Sequence, residues 1–424
     1  MINRTVAPEI VDAVNFHLQL KPYTKIVLKN GIEVYTVDAG AEELMMIEWV
    51  FYAGNSFEEK NLIAATSNFL LKNGTAKKNA FAINEHFEYY GSYLNRACHS
   101  ETATITLHSL TKHIGELLPV VRELISESTM PEEELKIYKQ NMKQRLTVNL
   151  KKSDFIAGRT IDALLYGQHH PYGKFSSAED FDAITREELL AFYKKYYQQG
   201  KMVLFAAGKL PSNFEQLLND NFGDIPVSNI ITPHQSLHPA AEKHHRISND
   251  PDGVQGSIRI ARPFPNRHHP DFMKVSVLNT IFGGFFGSRL MANIREDKGY
   301  TYGIHSYLQN NIQDSAWMVS TEAGRDVCEA AIKEVCAEMK NLREEIVGEE
   351  ELHLVRNYMM GIILGDLDGP FQILSRWKNI ILNNLDGKYF YDSINTIKTI
   401  SAEELRELAK KYLNPEAFYE LVVI

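Results

Sequence analysis

Cysteine is scarce, and what little there is carries no motif. Cys98, Cys328 and Cys336 show no C-x-x-C spacing, and the last two stand eight apart on a predicted helix. They are expected as small buried side chains of a reducing compartment, not as a disulfide framework. Long apolar runs are missing too: no stretch approaches the 18 or more residues of a membrane span. The N-terminal stretch MINRTVAPEIVDAVNFHLQL has acidic residues where a signal peptide has its apolar run, so the expected location is cytoplasmic. Positive charge is in deficit, with a net charge of −9, which argues against nucleic acid as a partner. Gly283, Gly284 and Gly287 lack both a preceding strand and the Lys-Ser/Thr of a phosphate loop, and they are expected to form a tight turn before a helix at Ser288-Arg289-Leu290. What is present is ordinary globular material, 44% hydrophobic and 23% charged, in a chain of 424 residues that is too long for one core. Two domains of about 200 residues each are expected.

The chain is written twice. Ile184-Thr185-Arg186-Glu187-Glu188-Leu189 with Lys194-Lys195-Tyr196-Tyr197 reappears 216 residues later as Ile400-Ser401-Ala402-Glu403-Glu404-Leu405 with Lys410-Lys411-Tyr412-Leu413. Each copy opens with a capping box, in which Thr185 or Ser401 accepts from first-turn amides while Glu188 or Glu404 reaches back to the cap. Each is followed by an apolar strand, Met202 to Ala207 or Ala417 to Ile424. Glu132-Glu133-Glu134-Leu135 and Glu349-Glu350-Glu351-Leu352, both opening long helices, echo at a separation of 217.

The order of elements repeats as well. The first half reads as a hairpin about Asn30-Gly31, a strand at Met45 to Tyr52, two helices ending near Lys72 and Tyr90, strands near Ser92 to Ala97 and Thr102 to His108, then helices to Tyr197. The second half has strands at Ser257 to Ala261, Thr301 to Leu308 and Ala316 to Thr321, then helices from Asp326 to Tyr412. Strands early and helices late predict an α+β fold of two homologous domains, each a mostly antiparallel sheet with helices on one face. The domains are placed at residues 1–228 and 253–424, joined by a linker at 229–252, where prolines and histidines replace periodicity.

Two segments then stand out. One is Leu62 to Leu110, with LLKNGT, the helix Asn79 to Tyr90 and the strand pair after it; the other is GGFFGSRLMANIREDKGYTYG, Gly283 to Gly303. In both, and over nearly the whole chain, the sequence resembles the M16 family of inverzincin-type zinc peptidases, which includes mitochondrial processing peptidase and pitrilysin. The family's second domain has a Gly-rich turn, a Ser-Arg-Leu, an arginine and a tyrosine seven residues on, matched here by Arg295 and Tyr302.

Catalytic members carry H-x-x-E-H on a helix, two imidazoles that ligate zinc with a glutamate between them as general base. The resemblance, aligned on Gly74-Thr75, puts those positions at Ala65, Asn68 and Phe69, and the third ligand, a glutamate in the family, at or near Arg145. A methyl and a phenyl cannot bind zinc, an amide cannot take a proton from water, and a guanidinium repels a cation. No Asp or Glu lies between Glu134 and Asp154 to restore the ligand. Ala82-Ile83-Asn84-Glu85-His86 imitates the motif with its first histidine lost, on a helix that aligns with a non-ligand helix of the family. The pairs His169-His170, His244-His245 and His268-His269 are expected as solvated loop residues.

What the resemblance implies is a half-clamshell without zinc of its own. Arg295 and Tyr302 are expected to act in trans, donating to a substrate carbonyl or oxyanion in the zinc site of a partner subunit that carries an intact H-x-x-E-H. The plainer alternative is that Arg295 pairs with Glu296 or Asp297 and Tyr302 packs in its sheet. Peptide substrate is expected to add a strand to a sheet edge, with Thr102, Thr104 and Thr106 as the candidate edge. The chain is thus expected to be a non-catalytic subunit of a heterodimeric zinc metallopeptidase, inactive alone and with zinc only in the partner, or else a scaffold that keeps the fold for assembly. A homodimer of the isolated chain stays open.

Overall fold

A computed structural model describes residues 11–229 and 233–424. The first half contributes β1 (Thr24–Val27), β2 (Glu33–Asp38), β3 (Leu44–Phe51), α1 (Ile63–Leu70), α2 (Ala80–Tyr89), β4 (Tyr93–Cys98), β5 (Ala103–Leu110), α3 (Ile114–Glu127), α4 (Glu132–Asn149), α5 (Ser153–Tyr166), α6 (Ala178–Ala183), α7 (Arg186–Tyr193), β6 (Met202–Gly208) and α8 (Phe214–Phe222). The second contributes β7 (His244–Ile247), β8 (Gln255–Phe264), α9 (Phe272–Asn279), β9 (Thr301–Asn310), β10 (Ser315–Gly324), α10 (Cys328–Glu344), α11 (Glu349–Gly365), α12 (Pro370–Leu382), α13 (Gly387–Thr399), α14 (Ala402–Tyr412) and β11 (Tyr419–Val423).

The strands form two sheets, ordered β1-β2-β6-β3-β5-β4 and β7-β11-β8-β10-β9. Apart from β1, the second order repeats the first, down to a single parallel pair in each, β2 with β6 and β7 with β11. The capping boxes foreseen at Thr185/Glu188 and Ser401/Glu404 both form, and a third, Ser177 with Asp180, opens α6. The three cysteines are unpaired, and only Cys328 is fully buried. One expectation fails in part: the stretch 229–252 is not all connection, since His244 to Ile247 pair with Glu420 to Val423 as an edge strand.

Each sheet buries one face under helices of its own half. Trp49, Ile47, Ile105 and Leu204 face α3 and α8 in the first half, and Ile260, Trp317 and Val319 face α9, α10 and α14 in the second. The opposite faces are covered by exchange. Helix α5 of the first half lays Ala157, Ile161 and Leu165 on Ala261, Met318 and Leu421 of the second sheet. Helix α12 of the second half lays Ile373, Leu374 and Trp377 beside Val37, Val203 and Phe205 of the first. The two helices start at Ser153 and Pro370, so the exchange follows the duplication.

Charge follows the exchange with inverted sign. Glu48, opposite Phe205 in the first sheet, and Arg259, opposite Leu421 in the second, occupy equivalent positions. The buried Glu48 pairs with Lys378 of α12 at 2.7 Å, and the buried Arg259 pairs with Asp154 of α5. The hairpin tips also meet, because the Tyr172 hydroxyl donates to Glu101 between β4 and β5 and accepts from the Gln313 amide between β9 and β10.

Candidate functional site

The apolar helix α1 is set by its ends. The buried Glu58 carboxylate accepts from the amides of Leu62 and Ala64, and Lys174 pairs with that carboxylate, whose acidity burial weakens. At the far end Gly74 passes so close to Pro131 that a Cβ there would stand 2.8 Å from the proline ring. Ala65, Asn68 and Phe69 thus share one helix, at the i, i+3 and i+4 spacing that brings side chains to one side. Their chemistry is spent inside the chain. The buried Asn68 amide donates to the Thr104 carbonyl and to the Tyr197 hydroxyl, each at 3.2 Å. Phe69, 42% exposed, packs against Tyr138 of α4 with ring centroids 4.6 Å apart, and the Arg96 guanidinium lies 5.0 Å over its ring while donating to its carbonyl.

The α4 side chain found on this face is therefore Tyr138, not Arg145. Arg145 is exposed and lies seven residues on, which keeps it on the same face about 10 Å further along the helix. Arg96 is a component that sequence reasoning missed; nothing local in β4 marks it, because its role comes from the pairing that carries it over α1. Among the described residues no three His, Cys, Asp or Glu side chains gather as a metal ligand set. With a cation already stacked on Phe69 and the Asn68 amide committed, zinc does not fit these residues.

Arg295 and Tyr302 lie on successive elements. Arg295 belongs to a π-helical stretch, Met291–Asp297, a wide turn common at functional sites. It is ion-paired with Glu296 at 3.3 Å and lies 4.6 Å over the exposed ring of Phe286. The preceding Arg289 is bound at both nitrogens to Glu351, each contact 2.8 Å, and so holds the turn to α11. Tyr302 is the second residue of the edge strand β9, where the pairing with β10 slips between Thr321 and Ala323. A bulge of this kind re-aims a side chain, and Tyr302 is 90% exposed. The bulge is pinned by hydroxyls: Thr321 Oγ1 lies 2.8 Å from the Thr301 hydroxyl and 2.9 Å from the Gly303 carbonyl oxygen, within hydrogen-bond distance of both. Among the described residues no hydrogen bond joins Arg295 to Tyr302.

The expected substrate edge does not survive. Strand β5 is interior: Thr104 and Thr106 face Val50 and Glu48 of β3 on one side and Ala97 and Asn95 of β4 on the other. Thr104 and Thr106 thus belong to a strand already paired twice, Thr102 directly precedes it, and the true edge of that part of the sheet is β4. The histidines need correction as well, since His244 and His245 belong to strand β7 and not to a loop. His170 is buried, stacked on Tyr166, with its Nδ1 accepting from the Tyr172 amide and its basicity lowered by burial. His244 lies on β7 beside Glu420 at 3.2 Å, while the ring of His86 in the imitation motif is 3.0 Å from the Glu116 carbonyl oxygen.

Two duplicated α+β units, joined by exchanged helices and carrying an Arg and a Tyr after a Gly-rich turn, define a class of two-domain protein. Residues 183–359 match the family described as the peptidase M16 inactive domain. Over 416 residues the chain is 24% identical to the uncharacterized zinc protease YmxG of Bacillus subtilis (strain 168), covering 96% of this chain and 98% of that one. It is 21% identical over 377 residues to a non-peptidase homolog YmxG of Helicobacter pylori (strain ATCC 700392 / 26695), covering 86% and 85% of the two chains. The crystal structure of a peptidase M16 inactive domain from Pseudomonas fluorescens shares the fold with a TM-score of 0.84 at 24% identity, over 95% of this chain and 98% of that one. The family match thus covers residues 183–359, and the two-domain fold of that crystal structure is shared over 95% of the chain.

Proposed function

We propose that this chain is the non-catalytic subunit of a two-chain zinc peptidase. A partner with an intact H-x-x-E-H holds the zinc and activates water; this chain supplies part of the chamber wall and lends Arg295 and Tyr302 to the partner's site. The observation that carries the reading is Tyr302, 90% exposed on an edge strand and turned outward by a bulge that three hydrogen-bonding groups hold in place. A phenol and a guanidinium on adjoining elements are donors suited to a peptide carbonyl as negative charge develops on it. The scaffold reading draws support from Arg295, which already has Glu296 and the Phe286 ring for company.

The test is to form the complex with a zinc-bearing M16 relative and replace the two donors. Arg295→Ala and Tyr302→Phe are each expected to lower kcat by about 10²–10³-fold, the range for loss of one preorganised donor, with the complex intact on size-exclusion chromatography. Unchanged turnover in both variants assigns the chain to the scaffold.

A further inference from the structure

A cavity of about 350 Å³ lies in the second half where α12, α13 and the loop after β8 come together. Helix α12 lines it with Gln372, Ser375, Arg376 and Asn379, a stripe at i, i+3, i+4 and i+7; α13 adds Tyr389 and the loop adds Arg267. The lining is polar, and the one carboxylate in it is that of Asp366. Arg376 pairs with Asp366 and lies 5.4 Å over the Phe390 ring, yet its buried Nε–H has no acceptor among the described residues. Arg267 rests 5.9 Å from the Phe272 ring centre, and no carboxylate pairs with it among the described residues. The cavity therefore holds two guanidiniums against one carboxylate. Both arginines act on the Tyr389 phenol with a positive field that opposes the effect of its burial.

An unmatched guanidinium and an unanswered N–H in a partly enclosed polar cavity are costly unless an anion answers them. Planar guanidinium forks bind the oxygens of carboxylates and phosphates in pairs, with charge-assisted hydrogen bonds. We propose that this cavity is a binding site for a small oxyanion, a phosphate or carboxylate group held between Arg267 and Arg376, with Tyr389, Ser375 and Asn379 completing its hydrogen bonds. At this volume the ligand is small, near the lower end of ligand pockets. The site does not depend on the peptidase reading, and the lone full-length chain suffices to test it.

Isothermal titration calorimetry of the full chain with inorganic phosphate, and separately with succinate, gives the readout. Saturable one-to-one binding of at least one probe is expected; phosphate alone points to a phosphoryl ligand, succinate alone to a carboxylate. Arg267→Gln, which breaks no ion pair, and Arg376→Gln are each expected to weaken binding at least about tenfold, the worth of one charge-assisted hydrogen bond. Arg122→Gln, a cation of the other half paired with Asp224, is expected to leave it unchanged. No saturable heat from either probe up to about 10 mM, or equal affinity in Arg267→Gln and the parent, overturns the proposal.

Discussion

At position 68, where the resemblance puts the glutamate of a metal peptidase, the chain has an amide with work of its own. Asn68 is buried, and its side-chain N–H groups answer a strand carbonyl and a buried phenol. Removing it leaves both acceptors without their donor, so Asn68→Ala is expected to destabilise the chain by about 1–3 kcal/mol, measured by urea unfolding; a change below about 0.5 kcal/mol contradicts this structural role. The sequence makes the loss of ligand chemistry at Ala65, Asn68 and Phe69 plain, because residue type alone decides what can bind zinc. It does not reveal what surrounds these three side chains. Tyr138 and Arg96 reach Phe69 from α4 and β4, and contacts between distant segments leave no local pattern.

At the scale of elements the duplication is the legible part. Capping boxes are local chemistry, and both predicted ones form with their side-chain and backbone bonds in place. Thr185→Ala and Ser401→Ala are each expected to cost about 1 kcal/mol, read by thermal or urea unfolding, and equal losses at the two sites are the mark of equivalent elements. Strand order is a different kind of information. Thr104 and Thr106 alternate with Ala103, Ile105 and Leu107, a pattern that an edge strand and an inner strand with one polar face share. Only the pairing with β3 and β4 separates the two. Strand β7, four residues with two histidines inside a proline-bearing connection, carries almost no periodicity and is defined by its partner β11.

For the whole molecule, the exchange of α5 and α12 makes the two halves one body, an arrangement no helix pattern announces. Burial at this junction has a pH signature. Asp162 of α5, beside Gln309 of β9, is pushed up to about 6 from an ordinary 3.8, chiefly because burial disfavours its charge. Its folded-state pKa lies above the unfolded one, so its contribution favours folding at acid pH and is lost as pH rises from about 4 through about 6. Asp162→Asn is expected to raise stability at pH 8 by about 2–3 kcal/mol and to flatten the stability profile between pH 4 and 6. Urea midpoints across that range check it, and an unchanged slope contradicts the assignment.

The central claim concerns division of labour between two chains, so the decisive measurement is zinc content together with peptidase activity. The purified chain is assayed alone and after co-expression with an M16 relative that has an intact H-x-x-E-H. The account predicts a lone chain that binds no stoichiometric zinc and cleaves no peptide, and a mixture that does both. Stoichiometric zinc in the lone chain contradicts the reading of Ala65, Asn68, Phe69 and Arg145, and a zinc-loaded but inert mixture contradicts the role given to Arg295 and Tyr302.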